Sequence, residues 1–255
     1  MQGVAITDRD LAARNRRTLL ACFDQDARGS RGARVVRAPG IAVAVFVTPP
    51  EGAYLNNAVL ESSVSDAERA AAVAFAEHEY ASAGIAEFAI WIDEHDDAGQ
   101  RFLTDRGYRQ TESTLAMSMD LGEVPAPPAG PAGVELVWDD WDAYCELLEL
   151  PGFLADADPA AYRVVTARVE GGGAEAMAFH HDGDCGIFNV GTTEAVRRRG
   201  LGAMVTRALL DDAVARGCGT ASLQSTPEAE RLYARLGFRA LGRIREFSRS
   251  RPERS

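Results

Sequence analysis

The stretch that most constrains this chain is Val190-Gly191-Thr192-Thr193-Glu194-Ala195-Val196-Arg197-Arg198-Arg199-Gly200-Leu201-Gly202-Ala203. An apolar run, Gly186 to Val190, leads into it, and an amphipathic helical pattern from about Leu201 to Arg216 leads out. A strand that turns through small residues onto a helix N-terminus holds anions. The first backbone N–H groups of the helix have no internal partner, and the helix dipole adds partial positive charge there. Glycine lets a phosphate approach the backbone closely. The Arg-x-x-Gly-x-Gly spacing alone is equally compatible with a glycine turn carrying solvated arginines, so its neighbours must decide.

Bulk properties narrow the field. The 255 residues make one large domain or two modest ones and can bury a sizeable core. The formal charge of −11 argues against a nucleic-acid or anionic-membrane surface. All 27 basic residues are arginine, a bias that a high-GC bacterial genome imposes and that says nothing about function. Cys22, Cys145, Cys185 and Cys218 are far apart and show no metal or redox spacing, so reduced thiols, no metal and a cytoplasmic location are expected. No Ser-His-Asp signature, zinc motif or nucleotide P-loop is present. Arg9, Arg14, Arg16 and Arg17 interrupt any apolar run that a signal peptide would need. No stretch approaches the ~20 apolar residues of a membrane span.

In chain order, residues 8–23 read as a helix that Asp8 can cap. Two β-rich runs flank Pro39-Gly40 as a hairpin, and Pro49-Pro50 stops the second. Tyr54–Leu60 is a third strand. Ser65-Asp66-Ala67-Glu68 has capping-box spacing and opens a helix to about Ser82, closed by Gly84. A strand over 85–92, a short helix over 96–106 and a strand over 108–121 follow. Residues 124–133 hold four prolines and no apolar periodicity, which makes them a linker between domains at 1–123 and 134–255.

The second half repeats the order of the first. Val134–Trp138 is a strand. A helix over 140–150 ends at Pro151-Gly152, and Asp158-Pro159 starts a short turn of helix. Strands over 164–169, 175–181 and 184–190 precede the opening loop. After its helix come a strand over 219–225, a helix that Thr226 caps and Gly237 closes, and a last strand over 238–247. The segments Phe102–Arg109 and Leu232–Arg239 match in residue type, so the chain reads as two copies of one α/β unit. Where the second copy has Arg-x-x-Gly-x-Gly, the first has Glu61–Arg69, with no glycine and extra carboxylates.

The segment from about Val134 to Phe247 resembles the GCN5-related N-acetyltransferase superfamily. The resemblance rests on an ordered set: a strand ending at Val190, Arg197-x-x-Gly200-x-Gly202 onto a helix, a strand over 221–225, then Ala229-x-x-Leu232-Tyr233-x-x-Leu236-Gly237-Phe238. It implies an α/β (α+β) fold of two tandem units, each a mixed, mostly antiparallel sheet flanked by helices, the first a degenerate copy. It also implies acetyl-CoA as co-substrate. The amides of Arg198 to Ala203, with Leu201 among them, would bind the pyrophosphate. The side chains of Arg197, Arg198 and Arg199 either add attraction or are solvated, and Arg197 reads as structural. Val190, Gly191 and Thr192, at the end of a strand that splays from the next, would bind the pantetheine arm. The Val190 N–H would polarise the thioester carbonyl, and Tyr233 would protonate the leaving thiolate. The family often has asparagine where this chain has Thr226, which can still donate a hydrogen bond to the coenzyme.

The general base stays open among His180, His181, Asp182, Asp184, Asn189 through water, Glu194, Glu149, Asp156 and Asp158. The histidines read first as a hairpin turn. Trp138, Trp141, Tyr144 and Phe153, interleaved with carboxylates, suit a cationic acceptor or else a solvated acidic helix with buried aromatics. The reading is an acetyl-CoA-dependent N-acetyltransferase acting on a primary amine of a small molecule by direct attack, as monomer or homodimer. The alternatives are a protein or peptide acceptor, another acyl group, or a non-catalytic acyl-CoA-binding module.

Overall fold

A computed structural model describes residues 6–47, 55–125, 133–148 and 153–249. The Pro49-Pro50 stop, Tyr54, residues 126–132 of the linker, Glu149 and the Pro151-Gly152 break lie outside the described residues. The chain divides into two compact units that interleave along the sequence. Unit N comprises Phe23–Thr114, Leu150–Ala157 and Gly242–Ser255; unit C comprises Met1–Cys22, Leu115–Glu149 and Asp158–Leu241. Neither unit ends within 124–133.

In unit N, β1 (Arg34–Ala38) and β2 (Ile41–Val45) form the expected hairpin, with Gly40 at φ +80° in its turn. Strand β2 is antiparallel to β3 (Asn57–Leu60), which is parallel to β4 (Ala89–Asp93). Helix α2 (Asp66–Ser82) carries the capping box read from sequence: Ser65 accepts from the Glu68 amide, and the Glu68 carboxylate accepts from the Ser65 amide. Its Ala72, Val73, Ala76 and Tyr80 pack with Ile41, Val43, Leu60 and Ile90 into one core. Helix α3 (Asp97–Asp105) follows β4.

In unit C the strand order is β6 (Leu136–Trp138), β7 (Arg163–Val169), β8 (Gly172–His181), β9 (Asp184–Thr192), β10 (Thr220–Ser225) and the Leu115–Asp120 part of β5 (Arg109–Asp120). Only β9 and β10 run parallel. Alanines at 174, 176 and 178 present a flat face of β8 to the core that holds Val205, Leu209 and Leu210 of α5 (Leu201–Ala215). Each such leucine contributes about 1.5–3 kcal/mol on burial. The alternate face carries Glu175 and Met177. There the fully buried Tyr144 of α4 (Trp141–Leu148) donates to Met177 Sδ at 3.7 Å. Helix α6 (Glu230–Arg235) ends at Gly237, φ +102°.

Helix α1 (Asp8–Arg28) is capped one residue earlier than expected: Thr7 Oγ1 accepts from the Asp10 amide, and Asp8 is the first residue of the helix. Its Asn15, 3% exposed, donates from Nδ2 to the carbonyls of Met117 on β5 and Leu223 on β10.

Each half of the sequence gives its last strand to the unit built mainly from the other half. Leu115–Asp120 of β5 pairs antiparallel with β10 in unit C, and Ile244–Ser248 of β11 (Arg239–Ser248) pairs antiparallel with β4 in unit N. Three of the unit boundaries therefore fall inside α1 and the two strands, and the other two bracket residues 150–157.

Candidate functional site

The site is built where β9 parts from β10. The parallel ladder covers only Asp184, Cys185 and Gly186 against Thr220, Ala221 and Ser222. Beyond it β10 pairs with β5, while β9 continues beside β8 alone. The parted segment of β9 also carries a bulge. Glu175 opposes Gly191 and Met177 opposes Phe188, so Asn189 and Val190 together face Ala176. Asn189 takes up the extra residue at φ +48°, a left-handed conformation that asparagine tolerates, and its Nδ2 donates to Tyr144 Oη at 3.2 Å. The regular alternation of an antiparallel ladder is interrupted at Asn189 and Val190, and Val190 is where the family resemblance puts the carbonyl-polarising amide.

Strand β9 then runs through Thr192 and a turn of 3-10 helix at Glu194–Val196, pinned by the buried Val196, into the glycine loop. Arg198 at φ +62° and Gly200 at φ +84° bend the chain onto α5. Among the intrahelical bonds of α5 the first is donated by the Met204 amide to the Gly200 carbonyl. The amides of Leu201, Gly202 and Ala203 therefore stay outside the ladder. No side chain caps this terminus, and its first turn holds no acid. Arg198 and Arg199 are exposed beside it, whereas Arg197 donates from Nε to the Thr192 carbonyl at 3.2 Å and braces the loop. A Cβ at Gly202 would lie 3.4 Å from Thr192 Oγ1 and 3.7 Å from Leu232 Cδ1 of α6, which are ordinary contact distances.

Tyr233, beside Leu232, is 6% exposed and meets Phe238 edge-on at 5.9 Å. Burial raises its phenol to about 12. Thr226 is exposed, and α6 starts only at Glu230 with no side-chain cap. Thr226 instead offers its carbonyl to the Ala229 amide, so the expected capping role is not filled.

The matching place in unit N is closed. The α2 terminus is satisfied by its own capping box and carries Asp66 and Glu68 in its first turn. Arg69, 3% exposed, reaches from α2 to Asp66 and to Asp96, which caps α3 through the Gly99 amide. A guanidinium and three carboxylates, Asp66, Glu68 and Asp96, are gathered at this helix terminus.

Most of the expected base residues have other employment. Asp182 and Gly183, both at positive φ, form the two-residue turn between β8 and β9. Asp184 is buried and accepts from Thr220 Oγ1 at 2.6 Å and Ser222 Oγ at 2.5 Å. This turn is six strand residues, about 20 Å, from Val190. His180, whose imidazole burial holds below the usual histidine value, and His181 sit at the same far end. Asp156 belongs to unit N and pairs with Arg31, Asp158 caps a 3-10 turn at Ala160, and Glu194 is exposed in the loop. Trp141 stacks on Tyr162 at 5.7 Å, next to Tyr144 and Phe179, as part of the expected aromatic wall. Trp138 instead lies under Arg163, and Phe153 belongs to unit N against Phe46.

Sequence reasoning missed Glu175. It is 5% exposed on β8, and its carboxylate fills the space that a Cβ on Gly191 would need. An acid alternating with alanines in an otherwise apolar strand was the available signal; its partner on β9 was not. Among the described residues no group of three or more His, Cys, Asp or Glu could hold a metal ion, and no helix is long and apolar enough to cross a membrane.

The Acetyltransferase (GNAT) family profile matches residues 131–238. No curated protein matches the chain by sequence. Solved structures share its fold over nearly their whole length. A GCN5-related N-acetyltransferase from Kribbella flavida is 21% identical at a TM-score of 0.70, covering 98% of each chain. One from Sphaerobacter thermophilus is 17% identical at 0.63, covering 97% of this chain and 95% of its own. A tandem GNAT protein from the clavulanic acid biosynthesis pathway is 15% identical at 0.57, covering 96% and 97%.

Proposed function

We propose that residues 131–238, which match the Acetyltransferase (GNAT) family profile, make the chain a GCN5-related, acetyl-CoA-dependent N-acetyltransferase that acetylates a primary amine of a small cationic molecule. The observation that carries the reading is the coincidence, in unit C, of a parted strand pair with an uncapped, glycine-gated helix N-terminus. Three free amides at Leu201, Gly202 and Ala203, with Arg198 and Arg199 beside them, suit a pyrophosphate. Charge-assisted bonds of that kind contribute roughly 1.5–3 kcal/mol each. Bound there, the coenzyme supplies an activated acetyl thioester. The Val190 amide, within the bulge, would donate its N–H to the developing oxyanion and lower the barrier by roughly 3–4 kcal/mol.

Tyr233 keeps its proton through neutral pH because its phenol sits at about 12. Full transfer to a thiolate of pKa ~8.5 would run uphill by about 5 kcal/mol. Its part is therefore a hydrogen bond to the leaving sulfur. The aromatic cluster of Trp141, Tyr144 and Tyr162, on the Glu175 side of the sheet, favours a cationic acceptor. Unit N, with its α2 terminus sealed, is a silent copy on this reading.

The test is thiol release from acetyl-CoA across a panel of small amines, with the acetylated product identified by mass spectrometry. Product with one or more amines is expected. Coenzyme binding with no product from any amine or peptide would leave an acyl-CoA-binding module in its place.

A further inference from the structure

We propose that Glu175 is the catalytic base of unit C, taking the proton from the acceptor's ammonium; the inference rests on the transferase reading above. Glu175 and Gly191 are direct partners in the β8–β9 ladder, immediately beside the bulge. Oε1 of Glu175 lies directly over Gly191, and a Cβ there, which would also fall 2.8 Å from the carboxyl carbon, would push the carboxylate away. The carboxylate therefore sits against the residue that follows Val190, within reach of whatever occupies the parted strands. It projects from the same face of β8 as Met177, where Tyr144 and Asn189 meet, and away from the α5 core. Among the described residues, the other acids considered are exposed (Asp156, Asp158, Asp182 and Glu194) or, for Asp184, buried at the far end of the hairpin.

The chemistry closes in protons and electrons. An amine arriving as its ammonium has no lone pair, so Glu175 takes one proton, directly or through one water. The freed pair forms the C–N bond at the thioester carbonyl carbon. The C–S bond breaks with its electron pair going to sulfur, which Tyr233 hydrogen-bonds until solvent protonates it. The nitrogen gives up its second proton, and Glu175 passes its own to solvent. The net products are an amide, a free thiol and one proton. Gly191 then has a defined purpose: the absence of a side chain is what lets the carboxylate stand beside the reacting centre.

Glu175→Gln keeps the shape and removes the basicity. The full-length variant and wild type are compared with phenethylamine, an ammonium at pH 7.5, and phenylhydrazine, already neutral there, alongside the amines found active in the panel. General-base loss should lower kcat/KM at least ~100-fold for ammonium acceptors and under ~10-fold for neutral ones, with acetyl-CoA affinity unchanged. A structural role would lower both classes alike. Glu175→Asp, which retains a carboxylate one methylene short, should fall between with the same split, and it serves if the glutamine variant does not fold. Equal rates in wild type and variant, or equal losses for both classes, would overturn the assignment while leaving the transferase reading intact. A wild-type chain inactive with every amine would overturn both.

Discussion

Arg69 and Asp96 form an ion pair at 3.3 Å with side chains only 3% and 5% exposed, tying the N-terminus of α2 to that of α3 in unit N. In unit C the corresponding helices, α5 and α6, meet through Gly202 and Leu232 and leave the α5 amides open. The same scaffold thus closes one cradle with a buried charge pair and leaves the other free. Removing the guanidinium would strand the Asp96 carboxylate in a dry site. Arg69→Met should destabilise the chain by roughly 3–5 kcal/mol in denaturant unfolding, without creating a coenzyme site. An unchanged midpoint would mean that the pair is not holding unit N together.

Gly200 holds φ +84° where the loop turns into α5. Gly200→Ala forces a side chain into the left-handed region at about 1–2 kcal/mol and moves the first amides of the helix. Acetyl-CoA affinity should fall by roughly tenfold or more, since 1.4 kcal/mol is a factor of ten. Calorimetry on the variant checks this, and an unchanged Kd would place the pyrophosphate elsewhere.

Burial lifts Tyr233 to about 12, above its ordinary value of 10.0. As pH rises the unfolded chain releases this proton first. The stabilisation from Tyr233 is therefore complete below pH 10 and is lost between about 10 and 12. Tyr233→Phe should lower kcat with little change in acetyl-CoA affinity, and its unfolding midpoint should fall less steeply with pH in that window than the wild type's. An unchanged kcat would remove the residue from the mechanism.

Glu246, on β11 in unit N, also has a raised pKa. Burial first, and the Glu112 carboxylate second, raise it to about 7 from 4.5. Its folded-state proton stabilises the chain fully below about pH 4.5, and that contribution is lost as pH climbs to about 7. Glu246→Gln should then stabilise at pH 8 by about 1–2 kcal/mol, after allowance for its partial exposure, and be neutral at pH 4. Thermal melts at the two pH values decide, and a gain at pH 4 alone would reverse the assignment.

His180 and His181 stand about 20 Å along the hairpin from Val190. His180→Ala and His181→Ala should keep kcat within about twofold. A loss of 100-fold in either would show that the hairpin end reaches the acceptor.

What the sequence disclosed was local. The Ser65–Glu68 box, the Pro39-Gly40 turn and the strand–loop–helix at Val190–Ala203 depend on residues within a few positions of one another, and all are present in the fold. Thr226 misled because a threonine before Pro227 satisfies the capping pattern, yet the chain spends three more residues in a turn before α6 begins. Partners chosen across the sheet were illegible. Nothing in β5 or β11 announces that each completes the unit of the other half, since an amphipathic strand fits either edge. Glu175 was passed over for the same reason: its meaning comes from Gly191, sixteen positions away and visible only through the register of the ladder. The histidine pair read first as part of a hairpin turn, and it does flank the Asp182-Gly183 turn between β8 and β9.

The central claim is that one cradle, at Val190–Ala203, binds acetyl-CoA and that its copy in unit N does not. Calorimetric titration of acetyl-CoA into the full-length chain tests it directly. One site per chain with Kd near micromolar, roughly −8 kcal/mol, is the predicted result. Two sites per chain, or no binding at all, would contradict it.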